Sequence, residues 1–308
     1  MRYQFIRCLG LVSLLIGLSS GSWAASYTFT TIDVPGALST EALGINNTGQ
    51  IVGDYSSDFS GSHGFLYTAG TFTTIDVPGA SSTEAWAING AGQIVGVFEN
   101  ATGSHGFLFT GGTFTTIDVP GASLTHALGI NDAGQIVGWS NTPLTHGFLY
   151  TAGIFTTIDV PGGINTQAVG INDTGQIVGS FHNATGVHGF LDTAGSFGTI
   201  DVPGANATFS NGINGVGDIV GGFSKMGLLL TDGFLDSAGT FTTIAVPGAS
   251  ATVAWRVNDA RQIVGSFHND AGTHGFLATP IPEPASVLLL GSGIGLAFMC
   301  KRLRRNHQ

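Results

Sequence analysis

Five histidines recur at one place in the sequence, each opening the phrase His-Gly-Phe-Leu: His63, His105, His146, His188 and His274. Histidines repeated in this way raise metal ligation and, where a carboxylate stands opposite, general acid–base work. The carboxylates are present. If Ala69-Gly70 forms a two-residue hairpin turn, Thr68 faces Thr71 and His63 faces Asp76. The same count pairs His105 with Asp118, His146 with Asp159, and His188 with Asp201. In a fifth copy of the phrase the count pairs Asp232 with Ala245, so both members have changed together, as expected of residues in contact. The last histidine, His274, would meet Asp33 if the end of the chain returned to its beginning.

Two chemistries compete for these pairs. One is a ring of His–Asp dyads for proton transfer or metal. The other is a hydrogen-bonded strut built once per structural unit. Five copies spread around a ring cannot converge on one substrate, so the pairs are read as structural, with a histidine that can also respond to pH. The Asn-Asp-x-Gly segments at Asn131 and Asn172 hint at calcium loops, but the further spaced carboxylates are missing and turns explain them better. No cofactor is expected; Ca²⁺ is the one weak candidate, and no metal ligands are assigned. Nor is any catalytic residue.

Function is then sought where the copies differ. The position just before the Ala (Ser in the fifth copy) of one recurring apolar run reads Glu41, Glu84, His126, Gln167, Phe209 and Val253. Two residues after that Ala stands Gly or Ala in five copies and Arg256 in the sixth. Glu41, Glu84, His126, Gln167, Phe209 and Arg256 form the candidate ligand site. They could hold a cation or hydrogen-bond a sugar, with Phe209 or Trp86 stacking on it. Drift at a solvated loop end would explain the same variation.

The elements that must position these residues are strands. The phrase Phe-Thr-Thr-Ile-Asp-Val-Pro-Gly starts at Phe29, Phe72, Phe114 and Phe155, with variants from Phe197 and Phe241. A second phrase, Gly-Ile-Asn-x-x-Gly-Gln-Ile-Val-Gly, starts at Gly44, Gly129 and Gly170, with variants from Ala87, Gly212 and Arg256. Each set counts six, at a period of roughly 42 residues. Within a unit, apolar runs over 41–46 and 50–55 flank the turn Asn47-Thr48-Gly49. Runs over 63–68 and 71–77 flank Ala69-Gly70, and Pro78-Gly79 ends the last run. Four strands per unit at this period predict an all-β, six-bladed β-propeller with the 41–46-type strand innermost. The body begins with a fourth strand and ends with a third, so the N-terminal strand, Tyr27 to Val34, is expected to close the last blade and remove its exposed edge. An open solenoid of stacked hairpins is the rival. The wording of the units resembles the extracellular HAF-type repeats over about 250 residues, a resemblance that implies no particular chemistry.

Composition narrows the function classes. The chain has 308 residues, 49 of them Gly, and 43% are hydrophobic, which is too apolar for disorder and fits short strands with tight turns. Between the terminal segments only Lys225, Arg256 and Arg261 are basic, against 18 of the 19 acids. A body so acidic repels phosphate backbones, which excludes nucleic acid as a partner. The two cysteines, Cys8 and Cys300, both lie in terminal apolar segments, so the body can form neither disulfide nor thiolate metal site.

Residues 1–24 read as a signal peptide: Arg2 and Arg7, an apolar stretch from Cys8 to Leu18, then Ser22-Trp23-Ala24 before the cut. The repeat body spans 25–279. Residues 280–308 hold Pro282-Glu283-Pro284, an apolar run from Ala285 to Cys300 and the basic cluster Lys301 to Arg305. That order predicts a short C-terminal transmembrane helix with its end in the cytoplasm. It resembles the PEP-CTERM sorting signal, which implies an exosortase as processing partner, a transient inner-membrane anchor, and delivery to the surface of a biofilm-forming Gram-negative cell. The expected function is a non-enzymatic cell-surface or matrix protein that binds or organises exopolysaccharide. The alternatives are a lectin-like carbohydrate-binding propeller and a polysaccharide hydrolase or lyase, for which Glu41 and Glu84 are the carboxylates available.

Overall fold

The structure, a computed structural model, describes residues 26–58, 60–225 and 231–281. In these residues the chain forms 24 strands and no helix. The first repeat shows the pattern. Strands Ser39–Ile45, Ile51–Ser56, His63–Thr68 and Thr71–Ile75 follow one another in an antiparallel sheet, in sequence order. The turn between the last two is the two-residue hairpin expected, with Thr68 opposite Thr71. Ala69 takes a φ of 48° there and Gly70 one of 92°. Alanine is an uncommon first residue for so left-handed a turn, yet Ala152, Ala194 and Ala238 adopt it too.

The strands run alongside a central axis. The innermost strand of each repeat packs on that of the next, and the last, Ala251–Val257, packs on the first, Ser39–Ile45, which makes a closed propeller. The strand Tyr27–Ile32 pairs with Gly272–Pro280 at the other end of the chain, from Tyr27↔Pro280 to Ile32↔Gly275.

Two expectations are corrected. Six separate blades do not form: four sheets stand alone with four strands each, not six. The fourth and fifth repeats share one eight-stranded sheet, because Val187 and Ala207 form a parallel bridge between them. The second correction concerns the transmembrane helix. Among the described residues no helix is long and apolar enough to cross a membrane, and the tail on which that helix was expected, with Pro282, Glu283 and Pro284, lies outside the described residues, as does the segment 1–24 expected to be a signal peptide.

Apolar layers between neighbouring repeats hold the ring together. Val52 and Ile75 of the first repeat pack with Ala85, Ile88, Ile94, Phe98 and Phe107 of the second. A glycine on the second strand makes each layer possible. Gly53 sits opposite Phe65 in register, and a Cβ there would come within 2.9 Å of the Phe65 ring and 1.9 Å of the Glu41 carbonyl. This is why the phrases Gln-Ile-Val-Gly and Gly-Phe-Leu resist clean alternation: both faces of these strands are buried.

Candidate functional site

The His–Asp pairs form in the register expected. His63 Nδ1 lies 2.8 Å from Asp76, His105 2.9 Å from Asp118, His146 2.9 Å from Asp159, His188 3.0 Å from Asp201 and His274 2.8 Å from Asp33. Each couples the third strand to the segment after the fourth, and the last couples the two ends of the chain. Four of the rings also lie against an aromatic of the second strand, as in Phe267–His274 with centroids 5.2 Å apart. Thr102 and Thr185 engage the Nε2 atoms of His105 and His188. The pairs are spread along the sheets and share no common centre. Among the described residues no cluster of three or more His, Cys, Asp or Glu could hold a metal ion.

At one mouth of the channel the repeats agree. An asparagine directly follows each inner strand: Asn46, Asn89, Asn131, Asn172, Asn214 and Asn258. Every one of these donates through Nδ2 to the backbone carbonyl of the next, and Asn258 donates to Asn46, so the circle closes, with distances of 3.0–3.2 Å. The same side chains accept backbone N–H groups of their own turn, as Asn46 does from Thr48 and Gln50. The circle is therefore self-satisfied, and the space it surrounds is only about 80 Å³. Of these asparagines, sequence alone assigns only Asn131 and Asn172 to turns; the presence of the residue in all six copies is the signal of its reach to the next repeat.

At the opposite mouth the repeats disagree. Glu41 and Glu84 come from adjacent inner strands, and the charge of Glu84 reaches Glu41. Opposite Glu41 in the ladder stands Asp54, a third carboxylate not singled out in the sequence. Burial and the charge of Glu84 push the Glu41 carboxyl up. Burial, then Glu41 and Glu84, push Asp54 well above the usual carboxylate range, against a hydrogen bond from Ser62. Glu84 is raised by burial, which the indole N–H of Trp86, donating to Oε2 at 3.0 Å, opposes. Comparison of the six copies at the Asp54 position, which reads Asp54, Val97, Trp139, Ser180, Gly222 and Ser266, carries the signal that was missed.

Next in the ring, His126 bonds Ser104 at 3.0 Å and its ring lies 4.2 Å from Trp139. Burial lowers its pKa to about 4, so it is a neutral hydrogen-bonding group at physiological pH. Gln167 and Phe209 hold the same strand position in the fourth and fifth repeats, across the ring from the carboxylates, in register with Ser180 and Gly222. The floor is apolar and aromatic. Trp86 and Trp255 meet edge-on with centroids 5.4 Å apart, and Leu128 and Val169 cluster with Trp86 and Trp139.

Arg256 does not join them at the mouth. A β-bulge between Ala254 and Arg256 turns its side chain into the channel, where it is 8% exposed. Its guanidinium donates to the carbonyls of Leu128, Val169, Asn211 and Trp255. Burial lowers its pKa to about 10, which leaves it positive at neutral pH. Below it a cavity of about 70 Å³ lined by Ile45, Ile88, Ile130 and their counterparts separates the two mouths. The site is thus a bowl closed at its base, acidic on one side, neutral on the other and floored by tryptophan.

No family model matches the chain, and no curated protein does. Solved structures do. An Aleuria aurantia lectin mutant in complex with Fucα1-6GlcNAc is 13% identical, with 83% of this chain and 99% of that one covered and a TM-score of 0.50. The protein AofleA from Arthrobotrys oligospora is 12% identical over 83% of this chain and 86% of that one, also with a TM-score of 0.50. At this identity the likeness is one of fold: an all-β propeller.

Proposed function

We propose that the protein is a non-enzymatic carbohydrate-binding propeller of the cell surface or extracellular matrix, and that the bowl of Glu41, Asp54, Glu84, His126, Trp86 and Trp255 receives the sugar. The observation that carries this reading is the pairing of hydrogen-bond acceptors with indole faces in one partly desolvated hollow. Carboxylates accept from sugar hydroxyls, and rings cover the apolar face of a pyranose. That a lectin of the same fold has been captured with Fucα1-6GlcNAc agrees with this. The sequence ends support export and exosortase processing, which would bring the bowl to exopolysaccharide.

The test is a glycan array that includes Fucα1-6GlcNAc, together with extracted exopolysaccharide, probed with the wild-type protein and with Glu41→Ala and Glu84→Ala. Binding by the wild type that is lost in both variants is expected. Unchanged binding of glycan in both variants places the site elsewhere. A hydrolase or lyase is the second reading, favoured by one observation: burial and two neighbouring carboxylates push the Asp54 carboxyl well above its usual range, the direction a general acid requires. Turnover of the same polysaccharide, abolished in Asp54→Asn, would decide for it.

A further inference from the structure

The bulge that hides Arg256 occurs in every inner strand. In each repeat one residue drops out of the ladder between the Ala or Ser and the following position: Leu43, Trp86, Leu128, Val169, Asn211 and Trp255. A bulged residue lacks a cross-strand partner, so its backbone is the least fixed point of the strand. Four of these six carbonyls, drawn from four successive repeats, accept the Arg256 guanidinium, at 2.9 Å for Trp255 and 3.0 Å for Val169. Side chains of the same residues make the bowl's floor: Trp255 against Trp86, and Leu128 and Val169 in one cluster with Trp86 and Trp139. Gly44, Gly129, Gly170 and Gly212 occupy the equivalent position in four other repeats, where a Cβ would come within 2.7–2.9 Å of the next repeat's bulge carbonyl, and Ala87 holds it in the second.

We propose that Arg256 is a positioning residue for the candidate sugar site, aiming its aromatic floor from beneath. The inference rests on the reading of the bowl as that site. The planar fork of an arginine offers several N–H groups in fixed directions, so one side chain sets the direction of four backbones at once. The bonded carbonyls of Leu128, Val169 and Trp255 belong to residues whose own side chains form the floor, so fixing the carbonyl fixes the backbone that carries the side chain. Holding the carbonyls at the axis therefore holds Trp255 in its edge-on contact with Trp86. A lysine, with a point charge on a flexible stem, cannot serve four acceptors in this way.

The experiment uses the whole protein and two variants, Arg256→Ala and Arg256→Lys. Far-ultraviolet circular dichroism of the unliganded protein reads both features: the exciton couplet of the Trp86–Trp255 pair in the strong indole band, and the sheets in the peptide band at shorter wavelength. Both variants are expected to lose the tryptophan couplet with the sheet signal retained. Affinity for the best glycan of the array should fall about tenfold, the scale of one good contact. Millimolar methylguanidinium should restore the couplet in Arg256→Ala, and methylammonium should not. A couplet unchanged in either variant overturns the proposal, as does equal rescue by the two cations. If Arg256→Ala does not fold, Arg256→Lys alone decides. Should the wild type bind no glycan while the couplet still depends on Arg256, the sugar reading fails and the positioning role stands.

Discussion

The two mouths of the channel are made from the two ends of the same six strands, yet they are built on opposite rules. At the Asn46 end every copy carries the same residue, and each side chain donates one hydrogen bond to the next repeat while its others tie its own turn. At the Glu41 end the copies diverge, three carboxylates crowd one side, and burial raises them all. Uniformity marks where the ring is held. Divergence, kept in spite of an electrostatic cost, is what the proposed sugar site rests on.

The contrast can be broken most directly at the uniform end. Asn258→Ala removes the donors to Asn46 and Gln262 and the acceptor for the Gln262 N–H. At about 1 kcal/mol per neutral bond the loss should be about 2–3 kcal/mol, or about 4–12 °C in Tm for a domain of this size. Calorimetry measures it, and glycan binding by the folded fraction should not change. A drop below one degree would make the asparagine circle an ornament.

At the divergent end the signs should reverse. Trp86→Ala is expected to weaken glycan binding about tenfold, the upper range for an aromatic contact, with titration calorimetry as the readout. Asp54→Asn should stabilise the protein at pH 7. The raised Asp54 pKa means that the folded state holds this proton more tightly than the unfolded chain does. Its contribution is fully present below the unfolded pKa and is lost as pH rises through the folded value. The variant should therefore melt a few degrees higher at pH 7 and level with the wild type near pH 3. A lower melting point for Asp54→Asn at pH 7 would contradict strain among these carboxylates.

The smallest effect belongs to the struts. His63 and Asp76 are 41% and 38% exposed, and a solvent-screened pair of this kind contributes about 0.2–1 kcal/mol. His63→Ala should move Tm by no more than a few degrees and leave glycan binding intact. A loss of binding in this variant alone would reinstate the histidines as functional.

Much of this was legible in the sequence because the chain contains six versions of itself. Turn chemistry at Asn47-Thr48-Gly49 and Ala69-Gly70 set the strand borders, and the shared change at Asp232 and Ala245 exposed the His–Asp register. The bulge was not legible. It adds a residue without altering composition, and it reverses which side of the strand faces the axis, so Arg256 lies inside the channel and not at its mouth. Asp54 escaped for a different reason: it lies across the ladder from Glu41, directly after the Ile-Val-Gly that opens this strand in all six copies. The merging of the fourth and fifth repeats rests on one bridge, Val187 with Ala207, and no local pattern announces a single bridge.

The pairing of Tyr27–Ile32 with Gly272–Pro280 also sets a timetable. Each of the other sheets can assemble from one continuous stretch of chain, as soon as that stretch exists. The last sheet joins the two extremes of the body and must wait for both. The additional entropy of closing so long a loop, compared with one repeat, is only about 1.5 kcal/mol, yet contacts this distant in sequence are slow to find. Until they meet, the Tyr27–Ile32 strand has no sheet, His274 has no Asp33, and the repeats form an arc. The finished ring is therefore a proofread object: a chain missing either end keeps its sheets but leaves an open edge that other chains can join.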